Sequence, residues 1–159
     1  MKAAIDTSIL VAAHVATHPH HTAASEWMAA ITSGRVNGVV TVHALAEVWS
    51  VLTKLPIVPP ILPASARMVV GGLPSDVQVV SLSQALYIEA LDRCVSRGVV
   101  SGAVFDALHL VAAEHAGASV MLTFNEKDFV RLAAPGTPRI LSPQSGEAAA
   151  LLASIASQQ

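Results

Sequence analysis

Short runs of small or β-branched apolar residues alternate along the chain with longer stretches whose apolar positions recur at helical spacing, the pattern of strands interleaved with helices. The first run, Ala3 to Ile5, meets Asp6, Thr7 and Ser8 before apolar residues resume at Ile9. A buried parallel strand reads this way when it ends in a polar loop that opens a helix. A short helix is expected to run from Ile9 into a histidine-rich connection ending at His21. Ala24, Trp27, Met28 and Ile31 then mark a helix over residues 22–33, stopped by Gly34. Gly38 to Val42 reads as the second strand. Leu45, Val48, Trp49 and Leu52 form the apolar stripe of a helix from His43 to Lys54, with Glu47 one residue off that stripe.

Pro56, Pro59, Pro60 and Pro63 break the helical pattern and predict a stiff connector, followed by a short helix over 64–72. Residues 76–82 predict a third strand, and Ser83 opens a helix to about Arg97. Ser101 as N-cap and Gly117 as stop bound a helix from Gly102 to Ala116 that carries Asp106 among Phe105, Leu108 and Leu110. A carboxylate in such company needs a partner, and His109, one turn on, is a candidate for it, although a surface histidine is the simpler reading of that position. Residues 119–123 form a strand that runs into Phe124-Asn125-Glu126-Lys127-Asp128-Phe129, residues 139–141 a last short strand, and residues 146–159 a tail with helical character beyond a single domain over 1–145.

Composition narrows the class. With 159 residues, 53% apolar, 13% charged and a mean hydropathy of +0.57, the chain has the makings of one folded domain with apolar surface to spare for a protein partner. No uninterrupted apolar run is long enough to span a bilayer, and Asp6 falls where a signal peptide needs apolar residues, so no membrane association is expected. One cysteine, Cys94, rules out an internal disulfide, fits a cytoplasmic protein, and sits with Tyr87, Ala90 and Leu91 at a spacing that suggests a packed position. A net charge of −2 argues against non-specific nucleic-acid binding by the whole surface. Arg93 and Arg97, four apart on one helix face, are either phosphate contacts or solvated charge. His14, His18, His20 and His21 suggest zinc or, more simply, an exposed polar turn. Aromatic residues at 4% offer no evident platform for stacking bases.

The acids carry the chemistry. Asp6 follows strand one, Glu47 lies in the helix after strand two, Asp106 begins a later helix, and Asn125 and Asp128 follow the fourth strand. Each stands near a strand's carboxyl end if the sheet is parallel, the favoured place for a ligand. Asp6 is either a site residue or a helix cap. Oxygen-bearing side chains converging there would repel one another without a cation. Their hardness selects Mg²⁺, with Mn²⁺ as a substitute, and such an ion suits phosphodiester hydrolysis.

At this point the sequence resembles the PIN-domain nucleases, and within them the VapC-like toxins of bacterial toxin–antitoxin pairs. The matching pieces are Asp6-Thr7-Ser8-Ile9-Leu10, Thr41 with Ala46-Glu47-Val48, Phe105 to His109 with Ala112, Ala113 and Gly117, and Leu122-Thr123 with Asn125 and Asp128-Phe129. The resemblance implies an α/β three-layer sandwich around a parallel sheet of four to five strands, Mg²⁺-dependent endoribonuclease activity on an RNA substrate, a homodimer, and a cognate antitoxin that covers the site. It assigns Asp6, Glu47 and Asp106 as the main acids, leaves the fourth place between Asn125 and Asp128, and gives Ser8 and Thr123 as supporting hydroxyls. In the mechanism so implied, Asp6 and Asp106 bind metal, Glu47 orients or deprotonates water, and Asn125 and Asp128 complete the shell. The expected dimer surface is the helices between Thr22 and Gly72. Two rivals are a non-catalytic binding module on the same fold and a phosphatase of the haloacid dehalogenase type, whose second Asp would fall at Ser8.

Overall fold

A computed structural model describes residues 1–157. Five short strands, β1 (Lys2–Ile5), β2 (Asn37–Thr41), β3 (Gln78–Val80), β4 (Val120–Leu122) and β5 (Arg139–Leu141), form one sheet in the order β3-β2-β1-β4-β5, and every pairing is parallel. The intervening chain forms α1 (Thr7–His14), α2 (His21–Thr32), α3 (Val42–Lys54), α4 (Pro63–Gly71), α5 (Gln84–Arg97), α6 (Ala103–His115), α7 (Glu126–Leu132) and α8 (Gly146–Ala156). This is the expected α/β sandwich with its central parallel sheet.

The pleat sorts the core into two layers. Ala3 and Ile5 of β1, with Val120 and Leu122 of β4, face α1, α2, α3, α4 and α8, where Ile9, Trp27, Ile31, Val48, Leu52, Ala66 and Ala148 are buried. Ala4 and Met121, the alternate positions, face α5, α6 and α7, meeting Ala90, Leu108, Val111, Phe129 and Leu132. A sheet covered on both faces explains why its strands read as continuous apolar runs. In β2, Gly38 admits close packing: a Cβ there would stand 2.9 Å from Ile31 Cγ2 and 3.1 Å from Val77 Cγ2.

Several local expectations change. β3 spans Gln78–Val80 only, and its side chains are largely exposed at the sheet edge. Gly102, not Ser101, is the N-cap of α6, while Ser101 takes a left-handed φ of 59°. The stretch after β4 is a helix, α7. Cys94 is buried with Ala90, but Tyr87 and Leu91 face outward. The histidine-rich connection is tied down: His14 Nδ1 donates to Leu10 O at 2.8 Å and His21 Nδ1 to Ala12 O at 2.9 Å. Each of the two rings is thereby fixed against a backbone carbonyl, and among the described residues no three His, Cys, Asp or Glu side chains gather here at metal-binding distance.

Arg93 is not available to phosphate. Its two terminal nitrogens donate to Glu114 at 2.8 and 2.7 Å, a fork that clamps α5 to α6, and Thr137 Oγ1 donates to the same carboxylate at 2.6 Å. Burial pushes the Glu114 carboxyl up, but the bonds from Arg93 and Thr137 outweigh it and hold the carboxyl below its ordinary value of 4.5. A group whose folded value is depressed contributes stability above its unfolded value and loses it as pH falls through the folded one. Arg93→Ala should therefore cost about 2 kcal/mol in urea unfolding at pH 7. The gap from the native protein should narrow as pH falls below the ordinary carboxylate value and through the depressed folded value of Glu114.

Candidate active site

β1 is flanked by β2 on one side and β4 on the other, so the chain's strand order reverses there and a crevice opens beyond the carboxyl ends of β1 and β4. Asp6 and Thr123 are the residues immediately after those two strands. Backbone Asp6 N donates to Leu122 O at 3.0 Å, fixing the exit of β1 against β4.

Asp6 occupies the N-cap position of α1, yet its carboxylate makes no capping bond. Its Oδ2 accepts instead from Ser8 Oγ at 2.7 Å and from Thr123 Oγ1 at 2.9 Å. The two hydroxyls are themselves anchored, Ser8 Oγ accepting from Phe124 N at 3.2 Å and Thr123 Oγ1 from Asn125 N at 2.9 Å. The carboxylate is thus held in one orientation by a closed ring of donors spanning both strand ends. Its Oδ1 faces His109 Nε2 at 4.0 Å.

Glu47 reaches the same rim from α3. Thr41 caps that helix, its Oγ1 accepting from Ala44 N at 3.0 Å, which sets the helix directly on the end of β2. Glu47 Oε2 accepts from Thr7 Oγ1 at 2.7 Å and from His109 Nε2 at 2.7 Å, while Oε1 lies 3.7 Å from His43 Nε2. Burial pushes this carboxyl up, but the His109 bond and charge, the Thr7 hydroxyl and His43 together hold it below the ordinary range.

His109 is the residue that sequence reading misplaced. It is buried at 3% exposure, and it pairs with Glu47 across the sheet end rather than with Asp106 in its own helix. Nδ1 meets Thr41 Oγ1 at 3.1 Å, so the ring is pinned at both nitrogens. Burial lowers its affinity for a proton, yet the Glu47 bond and the charges of Asp6, Glu47 and Asp106 raise it above the ordinary histidine value.

Asp106, in the first turn of α6, has no side-chain hydrogen-bond partner among the described residues. Burial, then the charge of Asp6, push its carboxyl up to about 6, with Asp128 and Glu47 adding to the rise and His109 opposing it. Asp106 therefore feels three other carboxylates at this rim. Asp128, in the first turn of α7, lies 3.6 Å from Arg131, and Asn125 caps α7 without using its side chain, which lines the crevice beside Asp6.

Among the described residues, no three His, Cys, Asp or Glu side chains stand close enough to enclose an ion by themselves. The donor set is one of oxygens with one free on Asp6, an unpartnered Asp106 and a neutral amide at Asn125. It fits a hard cation that keeps several waters, and it does not fit a closed zinc cage.

Comparison with known proteins agrees with this geometry. The PIN domain family profile matches residues 3–135. Ribonuclease VapC27 of Mycobacterium tuberculosis is 35% identical over 115 residues, covering 70% of this chain and 77% of that protein. Ribonuclease VapC40 of the same organism is 33% identical over 116 residues, covering 73% and 81%. Among solved structures, the Sarcin-Ricin loop cleaving toxin VapC20 of M. tuberculosis superposes with a TM-score of 0.65 at 16% identity, covering 86% of this chain and 99% of that one. DNA-bound VapBC from Salmonella typhimurium gives a TM-score of 0.61 at 22% identity, covering 90% and 98%. With one profile spanning most of its length and relatives matched over most of theirs, the chain belongs to the PIN domain family, in its VapC-like branch.

Proposed function

We propose that the protein is a Mg²⁺-dependent endoribonuclease that hydrolyses RNA phosphodiester bonds as the toxin of a toxin–antitoxin pair, with Mn²⁺ able to substitute. The observation that carries the reading is the gathering of Asp6, Glu47, Asp106 and Asp128 at one sheet rim, where burial first and then the charges of Asp6, Asp128 and Glu47 lift Asp106 to about 6. A divalent cation is the economical relief for such a cluster. The ribonuclease names of the VapC27 and VapC40 relatives support the activity, and the toxin–antitoxin complex from Klebsiella pneumoniae, of similar fold, supports an antitoxin partner. A homodimer through the outer faces of α2 to α4 belongs to the same proposal.

Asp6 Oδ1 and Asp106 would hold the ion, with Asn125 and Asp128 reaching it directly or through water. When bound, the ion supplies Lewis-acid polarisation of a phosphoryl oxygen and a water of lowered pKa. Glu47 keeps Oε2 occupied by Thr7 and His109, which leaves Oε1 to orient the attacking water and accept its proton. Ser8 and Thr123 donate to Asp6 Oδ2 and keep its other oxygen turned toward the ion.

Asp6→Asn should lower Mg²⁺-dependent cleavage of single-stranded RNA by about 100-fold or more while leaving the circular-dichroism melting curve in place. Undiminished cleavage by the purified variant would remove this reading.

Asp106 gives a pH signature. Its folded value, about 6, lies above the ordinary 3.8, so its proton is bound more tightly in the folded state. The carboxylate thus costs stability as pH rises through that window. Metal-free Asp106→Asn should melt higher than the native chain at pH 7.5, lose that advantage near pH 4, and cut no RNA. In the native chain, Mn²⁺ affinity read by calorimetry should fall about tenfold per pH unit below about pH 6.

His109 should act on metal through Glu47 and Asp6. His109→Ala should weaken Mn²⁺ binding about tenfold, and His109→Gln, which keeps a donor near Glu47, should recover part of the loss. Equal affinities for both variants and the native chain would exclude a positioning role for the imidazole.

A further inference from the structure

Only three phenylalanines occur in the chain, and one, Phe129, fills the core behind β4. The other two each line a cavity that also holds one of the acids, and each has an imidazole laid on its face. His20 and Phe124 have ring centroids 4.4 Å apart and planes 19° from parallel. His43 and Phe105 are 5.0 Å apart and 16° from parallel, with Phe105 45% exposed.

Each pair lines its own cavity. The first, of about 540 Å³, holds Asp6, Ser8, His18, His20, Phe124 and Asn125. The second, of about 390 Å³, holds Thr7, His43, Glu47, Ser50 and Phe105. Thr7 and Val51 belong to both, so the cavities adjoin over the start of α1, with Asp6 in one and Glu47 in the other. Aromatic residues are scarce in the chain, yet two of its three phenylalanines line these cavities.

We infer that the His20–Phe124 and His43–Phe105 pairs receive the two nucleobases flanking the scissile phosphate of a single-stranded RNA, one base in each cavity. This rests on the nuclease reading and adds what holds the strand. No lysine or arginine lines either cavity. Neither cavity therefore offers a permanently charged side chain to neutralise a phosphate backbone, the usual grip on a duplex. Flat ring faces, by contrast, accept any unstacked base, and each such contact is worth about 1–3 kcal/mol. Bases inside a helix already cover their faces, so the selected substrate is an unpaired stretch such as a loop.

The test compares three probes on the full chain in EDTA, where nothing depends on metal: an unpaired RNA of about 12 nucleotides, a base-free ribose-phosphate strand of equal length, and an RNA duplex. The native protein should bind the unpaired RNA at least about tenfold tighter than either other probe. Phe105→Leu and Phe124→Leu should each reduce that preference about tenfold, leave binding of the base-free strand unchanged, and in combination erase the preference. Phe105→Leu, at an exposed position, keeps the test valid if the partly buried Phe124 variant folds poorly.

Equal binding of all three probes would overturn the inference, as would leucine variants that weaken the base-free strand as much as the RNA. So would variants that keep native RNA affinity and lose affinity only for an antitoxin chain. Cleavage in Mg²⁺ is scored separately, so a chain that stacks bases without cutting would fail the nuclease reading alone.

Discussion

The structure depends on placing several negative charges at one end of a buried parallel sheet and keeping them there without neutralising them. The fold's topology makes the placement: strand order reverses at β1, so the ends of β1 and β4 open a crevice in which Asp6, following β1, is bridged to Thr123, following β4, at 2.9 Å. Glu47 and Asp106 arrive from helices that begin at the same rim. Left alone, this arrangement would protonate or push apart. Three hydroxyls and one imidazole restrain it. Ser8 and Thr123 fix Asp6, Thr7 fixes Glu47, and His109 stands between the two carboxylates. Asp106 receives no such help, and burial together with the neighbouring charges shows as a raised affinity for its proton. A carboxylate held in this way is maintained at a cost to the stability of the fold.

Much of this was readable before any coordinates. Strand β5 lies where the short apolar run at residues 139–141 predicts it, and β1 ends at Ile5 as the polar turn at Asp6 requires. Asp6, Asp106 and Asp128 are legible because each follows an apolar run or opens a helix, a local signal, whereas Glu47 lies inside α3 and stands out only beside the apolar stripe and through the family resemblance. His109 is not legible in this way, because helical spacing offers Asp106 as its nearest acid, while the partner it takes, Glu47, lies 62 positions away and is brought in by the seating of α3 on β2. Arg93 misled for the same reason, its acid lying 21 residues on in the neighbouring helix. The stacked pairs escaped because composition averages over the whole chain, and two phenylalanines suffice when both stand beside the acids. Helix α7 was missed because seven residues hold too few turns to show a period.

The two edges of the site are built by different means, and this bears on what can lie against it. Asp6, Ser8 and Thr123 sit on strand ends whose backbones are locked into the sheet, so their geometry follows from the fold. Glu47 sits on α3, whose other face carries Trp49 and Val51 out to solvent, 42% and 39% exposed, next to Leu62 and Met68 on and before α4. Trp49 Nε1 donates to Pro63 O at 3.2 Å and ties the two helices together. Val51 also lines both cavities, so the exposed apolar strip of α3 and α4 is continuous with the crevice wall. A protein covering that strip would lie directly beside the carboxylates. The exposed strip and the open side of the acids thus share the wall that α3 supplies, and the position of that one helix sets both.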